Sequence, residues 1–325
     1  MTPVERAFWQ RLHRRGRTLT PEMRADLLRA FRLIGNSLNE REVSRLLHAR
    51  DIENAIRTAF ADKLLDPPFL SVRDRIRTDV SEGARRATVV VPGLTEAERT
   101  LAATFNVLNP RVITAVRTLE SRVLDSLKSD IRETARAFIE NALRDGTAPG
   151  TVARQLRDVV GLAPNQEEAI RNFRRLLESN DREALTRALR DRRFDPTVKR
   201  AMASGEGLSV KQVDSMVNAY SQRMIAFNAE TQARTATLDS LKLGQRLSWG
   251  DAVDKGIVDP DRLMKRWVGV KDSRERQEHL DMEGEVVPYD APFSNGELVP
   301  GESTYNCRCV ALYFQARATA GSGSV

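Results

Sequence analysis

Within residues 109–146 the apolar or small side chains Val116, Leu119, Val123, Leu127, Ile131, Ala135, Phe138 and Ala142 recur at steps of three or four. A strand would repeat every second residue, so only a helix gathers this set on one side. The spacing predicts a helix of roughly ten turns with one buried face, stopped by Gly146. Val116, Leu127 and Phe138 are eleven residues apart each time. That period would leave a wrapped partner helix nearly straight or right-handed. Such a face more commonly meets another part of the same chain.

The rest of the first three-quarters reads the same way. Thr20-Pro21-Glu22 looks like a helix start, with a capping hydroxyl and an early proline. A second helical run is expected over residues 39–65, broken by Asp66-Pro67-Pro68 and resumed over 71–87. Val89-Val90-Val91-Pro92-Gly93 reads as a connector. Short helices are expected over 150–160, 165–179, 182–190 and 196–203. A long helix then runs from 209 to about 243, carrying Val213, Met216, Val217, Tyr220, Met224 and Phe227, with Gly244 as its end.

After Leu247 helical periodicity stops and short alternating runs appear, over 266–270 and 307–313. On the second run Cys307, Cys309, Ala311 and Tyr313 share one face, and Arg308, Val310 and Leu312 the other. The expected fold class is mainly α: elongated helical domains followed by a small C-terminal α+β module. The expected division is a basic helical N-terminal region (1–92), a helical middle domain with long helices (93–246), the α+β module (247–313) and a disordered tail (314–325).

Charge is unevenly placed. Residues 1–50 hold eleven arginines against five acids, whereas 51–325 hold 41 basic and 40 acidic residues. A concentrated basic end suits a phosphate backbone, because neutralising phosphates releases condensed counterions. Arg11, Arg14, Arg15 and Arg17 are the densest group and the candidate nucleic-acid contacts. A solvated arginine-rich helix surface is the alternative. No run approaches 18 apolar residues, so no membrane-spanning segment is expected. The first residues carry charge instead of a signal core, so a soluble protein is expected.

Both cysteines and one of three histidines fall in the last stretch, as His279, Cys307 and Cys309. Thiolate and imidazole are the ligands that hold zinc, so these three are candidate metal ligands, with Asp272 as a candidate fourth. Equally, both cysteines read as small buried hydrophobes and His279 as a hydrogen-bonded core or surface residue. Asp272-Ser273-Arg274-Glu275 also has the spacing of a capping box, which makes Asp272 the N-cap of a helix over 273–280. A disulfide between cysteines two apart is awkward on a regular strand, which points to a reducing, cytosolic site of synthesis. His13 and His48 sit in arginine-rich helices and are expected to be exposed. No glycine-rich phosphate loop, His-Glu-x-x-His or Gly-x-Ser-x-Gly is present, so no enzyme is expected. The competing reading is a metal-dependent nuclease or hydrolase centred on the His/Cys module.

The order Trp267, Asp272-x-Arg274-x-Arg276-x-x-His279, Gly284, Pro300-Gly301 and Asn306-Cys307-Arg308-Cys309 resembles the C-terminal domain of the phage Mu F-like minor head (head morphogenesis) proteins. Further upstream, Pro110, Gly146-Thr147-Ala148-Pro149, Gly161-Leu162-Ala163-Pro164-Asn165-Gln166, Asp191-Arg192-Arg193-Phe194-Asp195, Tyr220, Arg223 and Glu230-Thr231 are similar to the family's middle region, in consistent order. The resemblance implies a minor virion component of the phage head, assembled in the host cytoplasm. It implies association with the portal protein and capsid interior, help in head assembly, and contact with packaged or ejected double-stranded DNA. The chain departs from relatives that carry extra cysteines near the histidine, where it has Arg274 and Arg276. Some relatives append a toxin enzyme after the Cys-x-Cys, whereas sixteen residues follow Cys309 here.

Overall fold

The computed structural model describes residues 3–87 and 105–316. The connector expected at 89–93 and, of the tail expected over 314–325, the residues beyond 316 lie outside the described residues, whereas Phe314 and Gln315 belong to the last strand instead of a tail. In chain order the helices are α1 (Pro3–Asn36), α2 (Glu40–His48), α3 (Ile52–Ala59), α4 (Asp62–Leu65), α5 (Leu70–Ala87), α6 (Pro110–Arg144), α7 (Pro149–Gln155), α8 (Pro164–Glu178), α9 (Asp195–Ser204), α10 (Val210–Asp254) and α11 (Gln277–Asp281). The strands are β1 (Leu263–Val268), β2 (Val286–Pro288) and β3 (Val310–Gln315). The fold is mainly α, with one small antiparallel sheet near the C-terminus, as expected. Among the described residues no helix is long and apolar enough to cross a membrane.

The chain forms two compact units. The first comprises residues 1–24, 72–122 and 231–325, the second 25–71 and 123–230.

In the first unit the sheet has the order β2-β1-β3. Trp267 on β1 lies opposite Ala311 on β3, and Lys265 opposite Val287 and Tyr313. The two-face alternation expected around the cysteines is present. Cys307, Cys309, Ala311 and Tyr313 enter one core with Trp249, Leu263, Trp267 and Phe293. Val310 enters another with Phe8, Leu12, Leu19, Leu238 and Leu241, with Leu312 packed on it. Both faces of β3 are thus covered.

Gly244 does not end the long helix, which runs on to Asp254. Its role is a close crossing. A Cβ at Gly244 would land on the Val80 carbonyl oxygen, and one at Gly83 of α5 on the Leu241 carbonyl. Two backbones meet at a distance that only glycine allows. Thr20-Pro21 likewise lies inside α1 and does not start it. The Thr20 hydroxyl donates to the Gly16 carbonyl at 2.8 Å, and Leu19 and Met23 stay buried on either side. Burial of that face outweighs the proline's missing N–H.

In the second unit the stop at Gly146 is as expected. Gly146 has φ +81, its N–H donates to Leu143, and that of Thr147 reaches back to Ala142, the paired closure of a left-handed C-cap. From the stripe on α6, Leu127, Ile131 and Ala135 are buried, Phe138 and Ala142 half-buried, and Ile139 joins them. Helix α10 opens on a capping box, with the Ser209 N–H donating to Gln212 Oε1 and the Gln212 N–H to Ser209 Oγ. Of its expected core residues Val213, Met216, Val217, Tyr220 and Met224 are buried, but Phe227 is exposed, on the far side of the stripe.

The turn over 190–195 is a latch. Arg190 grips Asp195 through two nitrogens. Arg223 of α10 donates to the Arg190 carbonyl at 2.8 Å and pairs with buried Asp191. Hydrogen bonds from Arg193 first, and the charge of Arg223, hold the Asp191 carboxyl at about 2.

Candidate functional site

The first unit gathers the whole C-terminal motif. Trp267, fully buried on β1, stands edge-on to Phe293 and to His279, with ring centroids 5.1 and 5.4 Å apart. Gly284, at φ +85, lets the chain double back so that its N–H donates to the Trp267 carbonyl. Asn306 adopts a left-handed φ of 58 just before Cys307. Its N–H donates to Thr235 Oγ1 and its side-chain oxygen accepts from Arg234 Nε, both on α10. Arg276 donates to the Tyr305 carbonyl. Arg274 stays exposed, its backbone N–H donating to Asp272.

These supports bring His279, Cys307 and Cys309 together, all buried. Their ligand atoms lie within 4.8 Å of one another. His279 Nδ1 is 3.7 Å from Cys307 Sγ and 3.5 Å from Cys309 Sγ. Glu275 Oε1 accepts from Cys309 Sγ at 3.2 Å. Gly301, at φ +96, passes so close that a Cβ would sit 2.8 Å from Cys307 Cβ. Glu297 braces that loop by accepting from the Gly301 and Ser303 N–H groups. Lys242, buried on α10, donates to the carbonyls of Pro300 and Cys307. The contact with Cys309 and the nearby Lys242 charge push the Cys307 thiol well down, while Cys309 is pushed up by Cys307, by burial and by Glu275. The bond to Cys307 raises His279.

Asp272 does not begin a helix. α11 starts at Gln277, with Arg276 as its N-cap residue. The Asp272 carboxylate instead takes Arg308 in a fork, at 2.6 and 2.5 Å, and accepts the Arg274 N–H. A guanidinium offers two charge-assisted bonds where a helix terminus offers one amide. Both oxygens of Asp272 are engaged, and it lies outside the His/Cys group. Glu275, expected to close the capping box, accepts from the N–H groups of Val270 and Lys271 and reaches Cys309.

The Cys-x-Cys segment is also held from α1. Trp9 Nε1 donates to the Arg308 carbonyl at 2.8 Å, and His13 Nε2 lies 2.9 Å from the same oxygen. A carbonyl only accepts, so Nε2 carries the proton. His13 is buried and packs on Trp9 with centroids 4.0 Å apart, against the expected exposure. Burial lowers it to about 4. His48 is exposed, as expected. Sequence reading missed Trp9, His13, Lys242, Glu275 and Glu297. Trp9 and His13 lie nearly 300 positions from their partner, and no local spacing signals such a contact.

Of the four candidate DNA contacts, Arg11, Arg14 and Arg17 are exposed on α1, and Arg15 is half-buried against Glu82 at 2.8 Å. Arg85 and Arg86 pair with the same carboxylate. A cavity of about 230 Å³ opens there, lined by Arg11, Arg15 and Arg86 over Phe8 and Leu12.

No curated protein and no solved structure matches the chain. The family described as phage Mu protein F like protein matches residues 133–312, more than half of the chain. The match runs through the Arg190–Asp195 latch and ends on β3, just past the Cys-x-Cys, so it takes in His279 and both cysteines. The chain therefore belongs to the phage Mu protein F-like family of phage head morphogenesis proteins.

Proposed function

We propose that this protein is a minor component of the phage head, bound to the portal protein and the capsid interior, whose basic first helix contacts double-stranded DNA. Family membership carries the head assignment. The DNA reading is supported by Arg11, Arg14 and Arg17. At i, i+3 and i+6 they track one side of α1, and all three are exposed. Beside them three arginines surround the single carboxylate of Glu82. That local excess of positive charge is what attracts a phosphate oxygen. Burial of His279, Cys307 and Cys309 favours a binding protein over a nuclease. A hydrolytic metal centre needs an open position for water and substrate.

Purified full-length protein should co-sediment with purified portal protein and leave DNA intact in the presence of added divalent metals. DNA cleavage abolished by His279→Ala would instead establish the nuclease reading.

A further inference from the structure

We propose that Cys307, Cys309, His279 and Glu275 form a four-ligand site for a zinc-type divalent cation that staples the first unit together. The inference does not rest on the head-assembly reading.

Two sulfur atoms converge on one imidazole nitrogen, at 3.5 and 3.7 Å. Nδ1 has a single lone pair or a single proton, so it serves one thiol well and two poorly. One ion at the centre of the group would serve both. With metal–sulfur bonds of about 2.3 Å and metal–nitrogen bonds of about 2.05 Å, a tetrahedron has sulfur–nitrogen edges of about 3.6 Å. The two observed separations bracket that edge. The sulfur–oxygen edge would be nearly the same, and Glu275 Oε1 stands 3.2 Å from Cys309 Sγ. Glu275 lies outside the group of three, whose ligand atoms are within 4.8 Å of one another, so its carboxylate would swing from Cys309 toward the ion to complete the set.

The surroundings are those of a metal site. Glu275 is oriented by the Val270 and Lys271 amides. Glu278 Oε1 lies 3.7 Å from His279 Nε2, on the side of the ring away from the sulfurs. That carboxylate favours a proton on Nε2 and leaves the Nδ1 lone pair for the ion. The Lys242 ammonium, donating to the Cys307 carbonyl, offsets the charge of two thiolates and a carboxylate. Gly301 leaves room beside Cys307 Sγ, where a Cβ would sit 3.3 Å from the sulfur. The three buried ligands come from two segments far apart along the chain: His279 from α11, Cys307 and Cys309 from the approach to β3. An ion would therefore tie the loop between β1 and β2 to the Cys-x-Cys segment that Trp9 and His13 grip.

The test is a titration of reduced, chelator-stripped full-length protein with Co²⁺, then Zn²⁺. One Co²⁺ per chain is expected, with thiolate-to-cobalt charge transfer and the visible bands of a tetrahedral centre, all displaced by Zn²⁺. Cys309→Ser should abolish the charge-transfer signal or shift it strongly. Glu275→Gln should keep the stoichiometry and weaken Co²⁺ binding about tenfold or more. Folded wild-type protein that takes up no Co²⁺ would overturn the site, as would a signal unchanged in Cys307→Ser and Cys309→Ser. Unchanged affinity in Glu275→Gln would remove Glu275 as the fourth ligand.

Discussion

His13 is held neutral between Trp9 and the Arg308 carbonyl, and that makes the first unit acid-sensitive. Above pH 6.5 the imidazole is uncharged whether the chain is folded or not, and the link is at full strength. As pH falls from 6.5 to 4, the unfolded chain takes a proton that the folded one refuses, so stability is lost. Below 4 the loss is complete, about 3 kcal/mol in all. His13→Gln keeps a donor without the titration. Its urea-unfolding free energy should fall less between pH 7 and 4 than wild type, by about that amount. Equal slopes would show that His13 is not the titrating group. At this scale the sequence was partly legible. His279, Cys307 and Cys309 stood out because soft ligands are scarce in the chain. Asp272 and Glu275 were noticed, but their partners were not legible, because a capping box and an Asp–Arg fork share the same local spacing. Only the fold brings Arg308 to Asp272.

Helices and strands were easier to read, since burial repeats along them. The α6 stripe and the two faces of β3 follow from periodicity, and the Gly146 stop from a glycine placed just past the last periodic residue. Gly244 and Pro21 did not, for a physical reason. A glycine that ends a helix and one that lets two helices touch look alike until the neighbour is placed. Gly83→Ala or Gly244→Ala should each destabilise the protein by about 3 kcal/mol, since a Cβ would meet backbone and not a movable side chain. Gly146→Ala meets nothing within 4 Å. It should cost only the left-handed strain, about 1 kcal/mol. Thermal unfolding of the three variants would check the order, and a Gly146 variant worse than the other two would contradict it.

For the whole molecule, charge placement sets the expected behaviour with DNA. If Arg11, Arg14 and Arg17 each neutralise a phosphate, replacing all three by alanine should reduce the slope of log affinity against log salt by about 2.7. An unchanged slope would move the DNA contact elsewhere. A motif was enough to recognise the family, whereas the contacts that join α1 to the Cys-x-Cys segment needed the folded chain. Head membership is tested by the protein composition of purified, DNA-filled phage heads, measured by quantitative mass spectrometry. This protein is expected in those heads at low copy number, co-fractionating with the portal when heads are disrupted. Heads that are complete and infectious yet lack it would contradict the assignment.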